Sequence, residues 1–175
     1  NPGRLNYASS GSGAAPHLAA VLFMKLAGVE MVHVPYKGGA PAVQSLLAGD
    51  TQMMFATSPT VTGFIQAGRM KPLLVSVAKG SPSIPSIPGG DAAGVPGFQS
   101  TFWFGLYVPA GTPEAVVKRL HAAAVKGLSK PEVKAKIAAQ GMDALPSATP
   151  EGFADEIRTE SPDIGRLLRG WGGKI

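Results

Sequence analysis

Along the first 78 residues the hydrophobic positions switch back and forth between two spacings. Residues 4–9 read as a short strand that runs into Ser10-Gly11-Ser12-Gly13. Leu18, Val21, Leu22 and Leu26 then recur at three- and four-residue steps, which predicts a helix stopped by Gly28. Pro16 falls early enough in that helix for its missing N–H to cost nothing. Residues 29–34 alternate and are β-branched up to Pro35, the mark of a second strand. After Tyr36-Lys37-Gly38-Gly39-Ala40, Val43, Leu46 and Leu47 define a second helix ending at Gly49. Residues 51–55 predict a third strand, Val61, Phe64 and Ile65 a third helix stopped by Gly68, and residues 73–77 a fourth strand. Strands and helices that alternate over such short connections make a parallel sheet with crossover helices, so this region is an α/β lobe.

Beyond it the pattern changes. Residues 79–97 are rich in Ser, Pro and Gly without a period, which predicts an extended connector between lobes. Residues 102–108 form an apolar strand candidate leading to Pro109-Ala110-Gly111-Thr112-Pro113. Thr112 fits an N-cap and Pro113 a first helical residue for a helix through Leu128. A further helix is expected from Lys130-Pro131 to about Gln140. A last one starts at Thr149-Pro150 and is broken or bent by Pro162. The expected division is a lobe at 1–78, a connector at 79–100, and part of a second lobe at 101–175. No repeat spans the chain.

Composition narrows the picture. The 175 residues hold a hydrophobic fraction of 45%, enough for a core, and no cysteine, which removes disulfides and thiolate chemistry. The net charge of +5 suggests nucleic acid at first sight. However, Lys118, Arg119, Lys126, Lys130, Lys134 and Lys136 sit at helical spacing among Ala, Val and Glu, as on a solvated helix face. No Arg-rich run with interleaved aromatics is present, so nucleic-acid binding is not expected. No apolar run reaches the length of a membrane span.

In an open parallel sheet, ligands lie beyond the carboxyl ends of the strands. Three strand-to-helix junctions fall there, each small and polar. In Ser9-Ser10-Gly11-Ser12-Gly13 the glycines allow close backbone approach and the hydroxyls can donate, which suits an anion; a flexible turn needing glycine fits equally. In Tyr36-Lys37-Gly38-Gly39-Ala40, backbone N–H donation is favoured over Lys37 acting as a Schiff-base nucleophile, because no companion acid or base is near it in sequence. Thr57 and Ser58 offer hydroxyls to a ligand, or Ser58 caps the helix begun by Pro59. His17, in a first helical turn, either donates to a ligand or contacts the backbone at the helix start. His17, His33 and His121 have no metal-ligand spacing, and no nucleophile elbow, phosphate loop or H-E-x-x-H is present. Neither a catalytic residue nor a metal or cofactor site is expected. The pattern describes a site for a small, oxygen-rich anion held mainly by backbone groups.

Several runs together resemble a known family. They are Asn1-Pro2-Gly3-Arg4-Leu5-Asn6-Tyr7-Ala8-Ser9 with Gly11, Gly13 and His17-Leu18, then Val32-His33-Val34-Pro35-Tyr36-Lys37-Gly38, Pro41-Ala42 and Leu47-Ala48-Gly49. Ala67-Gly68-Arg69-Met70-Lys71-Pro72-Leu73, Val95-Pro96-Gly97-Phe98, Trp103-Phe104-Gly105-Leu106 and Pro109-Ala110-Gly111-Thr112-Pro113 follow in order. The chain resembles the Bug-type receptors, the solute-binding proteins of tripartite tricarboxylate transporters. The resemblance implies a type II periplasmic-binding-protein fold with two α/β lobes closing on a ligand. It also implies a periplasmic location, membrane transporter subunits as partners, and a di- or tricarboxylate or aromatic carboxylate as ligand. It places 9–13 and 36–40 in the binding loops and Trp103-Phe104 beside the cleft, although a buried aromatic strand accounts for Trp103 equally well. Family members that hold amino acids carry an aspartate near the end of the third strand. Phe55-Ala56-Thr57-Ser58 has no acid, so a ligand without an ammonium group is expected. The family also carries an additional N-terminal portion. Without it one lobe is nearly complete and the other lacks its central strands, so a dimer, exchanged through the connector, is expected. A sensing role toward a membrane kinase fits the same residues. An enzyme acting through Lys37 or His17 would need a titratable pair that the chain does not show.

Overall fold

The computed structural model describes residues 3–170, with side chains described through residue 160. Strand β1 (Asn6–Ser9) leads to helix α1 (Ala15–Ala27), β2 (Val32–Pro35), α2 (Gly39–Ala48), β3 (Met53–Met54) and α3 (Ser58–Gln66). Three helices follow later in the chain: α4 (Glu114–Leu128), α5 (Pro131–Ala138) and α6 (Pro150–Gly170). The sheet is parallel in the order β2-β1-β3, with Tyr7 opposite His33 on one side and Met53 on the other. The chain therefore steps from β1 to one flank and crosses back to the other, which opens a crevice at the carboxyl ends of β1 and β3. Central β1 is sealed: Tyr7, Ala8 and Ser9 are fully buried.

The expected α/β lobe is present, with α1 stopping at Gly28 and α2 at Gly49. A second core joins Ala19, Leu22 and Phe23 of α1 to Phe55, Val95 and Phe98. The Phe98 ring meets Phe23 at 5.6 Å and Phe55 at 6.3 Å, both edge-on. The Pro/Gly-rich stretch thus folds back in a series of turns onto the first lobe. Ser76 and Ser100 tie its two ends together, with N–H to carbonyl at 2.9 Å and hydroxyl to carbonyl at 2.8 Å.

Four expectations need correction. Residues 73–77 make only a single bridge, Val75 with Gly89. Their facing stretch carries Pro82, Pro85 and Pro88, which have no N–H to donate to a ladder. Residues 102–108 form no strand among the described residues. Apolar alternation shows fitness for pairing, but a ladder also requires a second strand beside it. The segment instead leans on α6, with the Trp103 ring edge-on to Phe153 at 4.7 Å, and exposes Phe104 (75%), Leu106 (69%) and Tyr107 (64%). Pro113 is the N-cap of α4 rather than its first residue, and the Thr112 hydroxyl donates to the Pro109 carbonyl at 2.8 Å. Finally, of the break or bend expected at Pro162, the break does not occur: α6 continues past that residue, which forfeits one backbone hydrogen bond inside the helix without ending it.

Candidate functional site

A cleft of about 220 Å³ opens at the crevice, lined by Ser10 and Pro16 after β1, Gly39 after β2, and Met54, Phe55, Ala56, Thr57 and Thr60 around the end of β3. All three strand-to-helix junctions selected from sequence contribute to it. No charged side chain lines it.

The helix starts explain what such a cleft attracts. The first N–H groups of any helix lack intrahelical acceptors and carry the positive end of the peptide dipoles. In α1, α2 and α3 no side chain caps those groups and no acid stands in the first turn. In α4, α5 and α6, away from the cleft, the first turns hold Glu114, Glu132 and Glu151. Pro16, Pro41 and Pro59 each remove one N–H from the three cleft helices. Among the described residues, the N–H groups of Ala15, Gly39, Ala40 and Ser58 have no protein acceptor. Three unneutralised helix starts thus turn unpaired N–H groups and positive dipole ends toward one uncharged cleft.

Two glycines permit the convergence. Gly38 has φ 109° and ψ 172°, a conformation open essentially to glycine alone. A Cβ on Gly39 would stand 2.8 Å from Thr60 Cγ2, so the start of α2 approaches α3 only because residue 39 has no side chain.

The other residues selected from sequence take different places. Ser9 is fully buried, and its Oγ lies 2.6 Å from His33 Nε2 and accepts the Gly11 N–H at 3.2 Å. Ser10 lines the cleft, Gly11 sits half-buried behind it, and Ser12 and Gly13 are exposed. His17 is fully buried, its Nδ1 accepting the Gly13 N–H at 2.9 Å, so of its two expected roles the structure shows the backbone contact. The Tyr36 hydroxyl donates to Ser45 Oγ at 2.6 Å, within a buried chain that continues to Thr51 at 3.1 Å. Lys37 and Ala40 are exposed, and Lys37 makes no ion pair among the described residues. Thr57 faces the cleft with its Oγ1 2.7 Å from that of Thr60. Ser58 is the first residue of α3, not its cap, and lies near Gly141. Trp103 Nε1 donates to Glu160 at 3.0 Å, and neither Trp103 nor Phe104 lines the cleft. Pro16, Met54, Phe55 and Thr60 were not selected from sequence. The only signal for them was adjacency to the polar junctions, and apolar residues there read as core.

Electrostatically the floor of the site is neutral. Burial, and secondarily the adjacent His17, hold His33 down at about 4; burial also lowers His17, and it pushes the Tyr7 hydroxyl up to about 12. No group of three or more His, Asp or Glu able to hold a metal occurs among the described residues. No described helix is long and apolar enough to cross a membrane.

The described residues thus build an α/β lobe with an uncharged cleft at its strand ends, walled by bare helix starts. The tripartite tricarboxylate transporter family receptor model matches residues 1–164, and the chain belongs to that family. It is 39% identical over 169 residues to a UPF0065 protein from the tcbD-tcbE intergenic region of Pseudomonas sp. strain P51, covering 96% of this chain and 50% of that protein. Among solved structures it superposes on Rpa4515 of R. palustris with adipate at TM-score 0.89 and 29% identity, covering 97% of this chain and 56% of that one. The periplasmic binding protein BugD gives 0.84 and 31%, covering 98% and 58%. MatC from Rhodopseudomonas palustris with bound malate gives 0.81 and 28%, covering 95% and 57%. The chain thus spans about half the length of these relatives.

Proposed function

We propose that the chain supplies one wall of a periplasmic receptor that captures a small organic carboxylate and passes it to membrane transporter subunits. The carrying observation is the convergence of three uncapped, acid-free helix starts on one uncharged cleft. The adipate and malate bound by the two Rhodopseudomonas proteins support the same ligand class. Because no acid lines the cleft, the ligand carries no ammonium group. Ser10, Gly39 and Thr57, with the N–H groups of Ala15, Ala40 and Ser58, contact the carboxylate.

The lobe at 1–78 is completed by the 79–100 segment packed on it, and 101–175 belongs to a second lobe. The exposed surface of 11033 Å² exceeds the roughly 8,000 Å² typical of a compact chain of this mass. Residues 102–108 and the Val116 and Leu120 face of α4 are two of its exposed apolar regions, and two chains associate through them.

Isothermal titration of the 175-residue chain with adipate, malate, citrate and glutamate tests the ligand reading. Selective binding of a dicarboxylate or tricarboxylate supports it, and preference for glutamate over the matching dicarboxylate overturns the ammonium-free assignment. Light scattering that shows a stable monomer at micromolar concentration overturns the association.

A further inference from the structure

Beneath the first binding loop lies a stack that ligand binding does not require in any obvious way. The rings of His17 and His33 are parallel, 7° apart, with centroids 4.1 Å apart, and Tyr7 stacks on the far face of His33 at 4.9 Å. The two imidazoles come from different elements, α1 and β2, and each bonds a different end of the same loop. His33 Nε2 meets Ser9 Oγ at 2.6 Å at the start, and His17 Nδ1 accepts the Gly13 N–H at 2.9 Å at the finish.

A backbone N–H settles the tautomer of His17. An Nδ1 that accepts an amide proton carries none, so His17 is neutral with its proton on Nε2. Ser9 Oγ accepts the Gly11 N–H at 3.2 Å and lies 3.2 Å from the Gly11 carbonyl, which also accepts the Ala14 N–H at 3.3 Å. Its shortest contact is His33 Nε2 at 2.6 Å, a hydrogen bond that either neutral tautomer of His33 makes, with Ser9 Oγ as acceptor in one and donor in the other. Between these anchors the loop is free-moving by composition, with Gly11 at φ 139° and Gly13 at φ 75°. Fixing such residues costs conformational entropy, a cost charged to the ligand if the loop is loose beforehand. The fixed loop also holds its neighbour, since the Ser10 carbonyl accepts the Gly38 N–H at 3.1 Å.

We propose that His17 and His33 form an uncharged two-ring brace that fixes the 9–13 loop in its ligand-receiving shape, making both of them positioning residues for capture. The proposal rests on reading that loop as part of the carboxylate site. It assigns the imidazoles no contact with ligand: the negative charge meets N–H dipoles, and the rings hold those dipoles in place.

The test compares paired variants of the full chain. His17→Asn keeps an acceptor near the Nδ1 position and His33→Gln keeps a donor near Nε2, whereas His17→Leu and His33→Leu keep bulk alone. Amide hydrogen exchange at Gly11 and Gly13 reads the brace without ligand, and adipate titration reads its consequence. Exchange at Gly13 at least tenfold faster in His17→Leu, with His17→Asn within about threefold of wild type, supports the brace. The same contrast at Gly11 is expected for the His33 pair. Adipate affinity falls at least fivefold in the leucine variants and less than twofold in the polar ones. Exchange unchanged in both leucine variants, or polar variants as impaired as the leucine ones, overturns the proposal. If wild type does not bind adipate, the carboxylate reading fails for this ligand while the exchange pattern still decides the brace. If His17→Leu does not fold, the His33 pair decides by the same criteria.

Discussion

Gly39→Ala tests whether the approach of two helix starts is what builds the cleft. The added Cβ would meet Thr60 Cγ2 at 2.8 Å and Oγ1 at 3.3 Å. Thr60 cannot simply turn away, because its Oγ1 is hydrogen-bonded to Thr57 at 2.7 Å. Overpacking of this kind costs about 1–3 kcal/mol. Alanine returns about 0.4–1 kcal/mol by restricting the unfolded chain, so the net loss is roughly 0.5–2 kcal/mol. Thr60→Ser removes the clashing methyl and keeps the hydroxyl. In that background Gly39→Ala should cost nothing or stabilise by a few tenths of a kcal/mol, a coupling of about 0.5–2 kcal/mol in a double-mutant cycle. Urea unfolding of the four proteins measures this, with equal slopes required before midpoints are compared. Additive effects within about 0.4 kcal/mol would refute the claimed contact and the reason given for glycine at position 39.

Three other outcomes are expected. Ala40→Glu places a carboxylate on the empty first turn of α2. It should stabilise the chain by about 0.3–1 kcal/mol through the helix dipole and weaken adipate at least tenfold, effects of opposite sign seen by thermal unfolding and titration. Lowering the pH should destabilise the chain through His33: its folded value near 4 lies below the ordinary 6.5, so the unfolded chain takes the proton first. This stability is complete above about pH 6.5 and lost toward pH 4, with a ceiling of about 3 kcal/mol that partial exposure reduces to roughly 1–2 kcal/mol. His17, Tyr7 and Ser9 are the groups facing the ring, and the decline should flatten in His33→Gln followed by urea unfolding. Tyr7→Phe removes a buried hydroxyl that has no hydrogen-bond partner among the described residues. It should leave stability unchanged or raise it by up to about 1 kcal/mol, and a loss above 1 kcal/mol in urea would contradict that burial.

Local rules were readable wherever one segment sufficed to obey them. The 3.6-residue spacing of Leu18, Val21 and Leu22, the stops at Gly28 and Gly49, and the polar strand ends all depend on residues close in sequence. The three junctions that meet at the cleft were legible for the same reason: a parallel sheet sends them to one edge. What escaped depends on partners. Residues 102–108 carry a strand pattern, but strand formation is a property of two segments. His17 beside a glycine loop reads equally as a ligand donor or a helix-entry contact, and nothing local shows that His33, sixteen residues on, stacks against it. Ser9 likewise offers a hydroxyl in sequence, and burial assigns that hydroxyl to His33 and the loop backbone. Phe98 looked like part of a linker because nothing local shows that Phe23 and Phe55 are waiting for it.

The openness of the cleft sets the affinity to expect. About 220 Å³ falls short of the roughly 300–1,000 Å³ of pockets that enclose a ligand, and one wall cannot cover the 70–90% of ligand surface that such pockets bury. Hydrogen bonds to a carboxylate are worth about 1.5–3 kcal/mol each, and association costs at least about 4 kcal/mol. Two or three bonds from Gly39, Ala40 and Ser58 therefore leave only a few kcal/mol, the millimolar range. A facing wall that covered a further ~100 Å² of apolar ligand surface would add about 2.5 kcal/mol, close to seventyfold. Such a wall would also exclude water and strengthen every bond to the charge. The relatives with bound adipate and malate are about 1.7 times the length of this chain (97% of it against 56% of one, 95% against 57% of the other), so their additional residues are a natural source of such a wall. On the proposed reading, charge recognition and tight capture are separable: bare helix starts would select the anion, and a facing wall would supply the affinity.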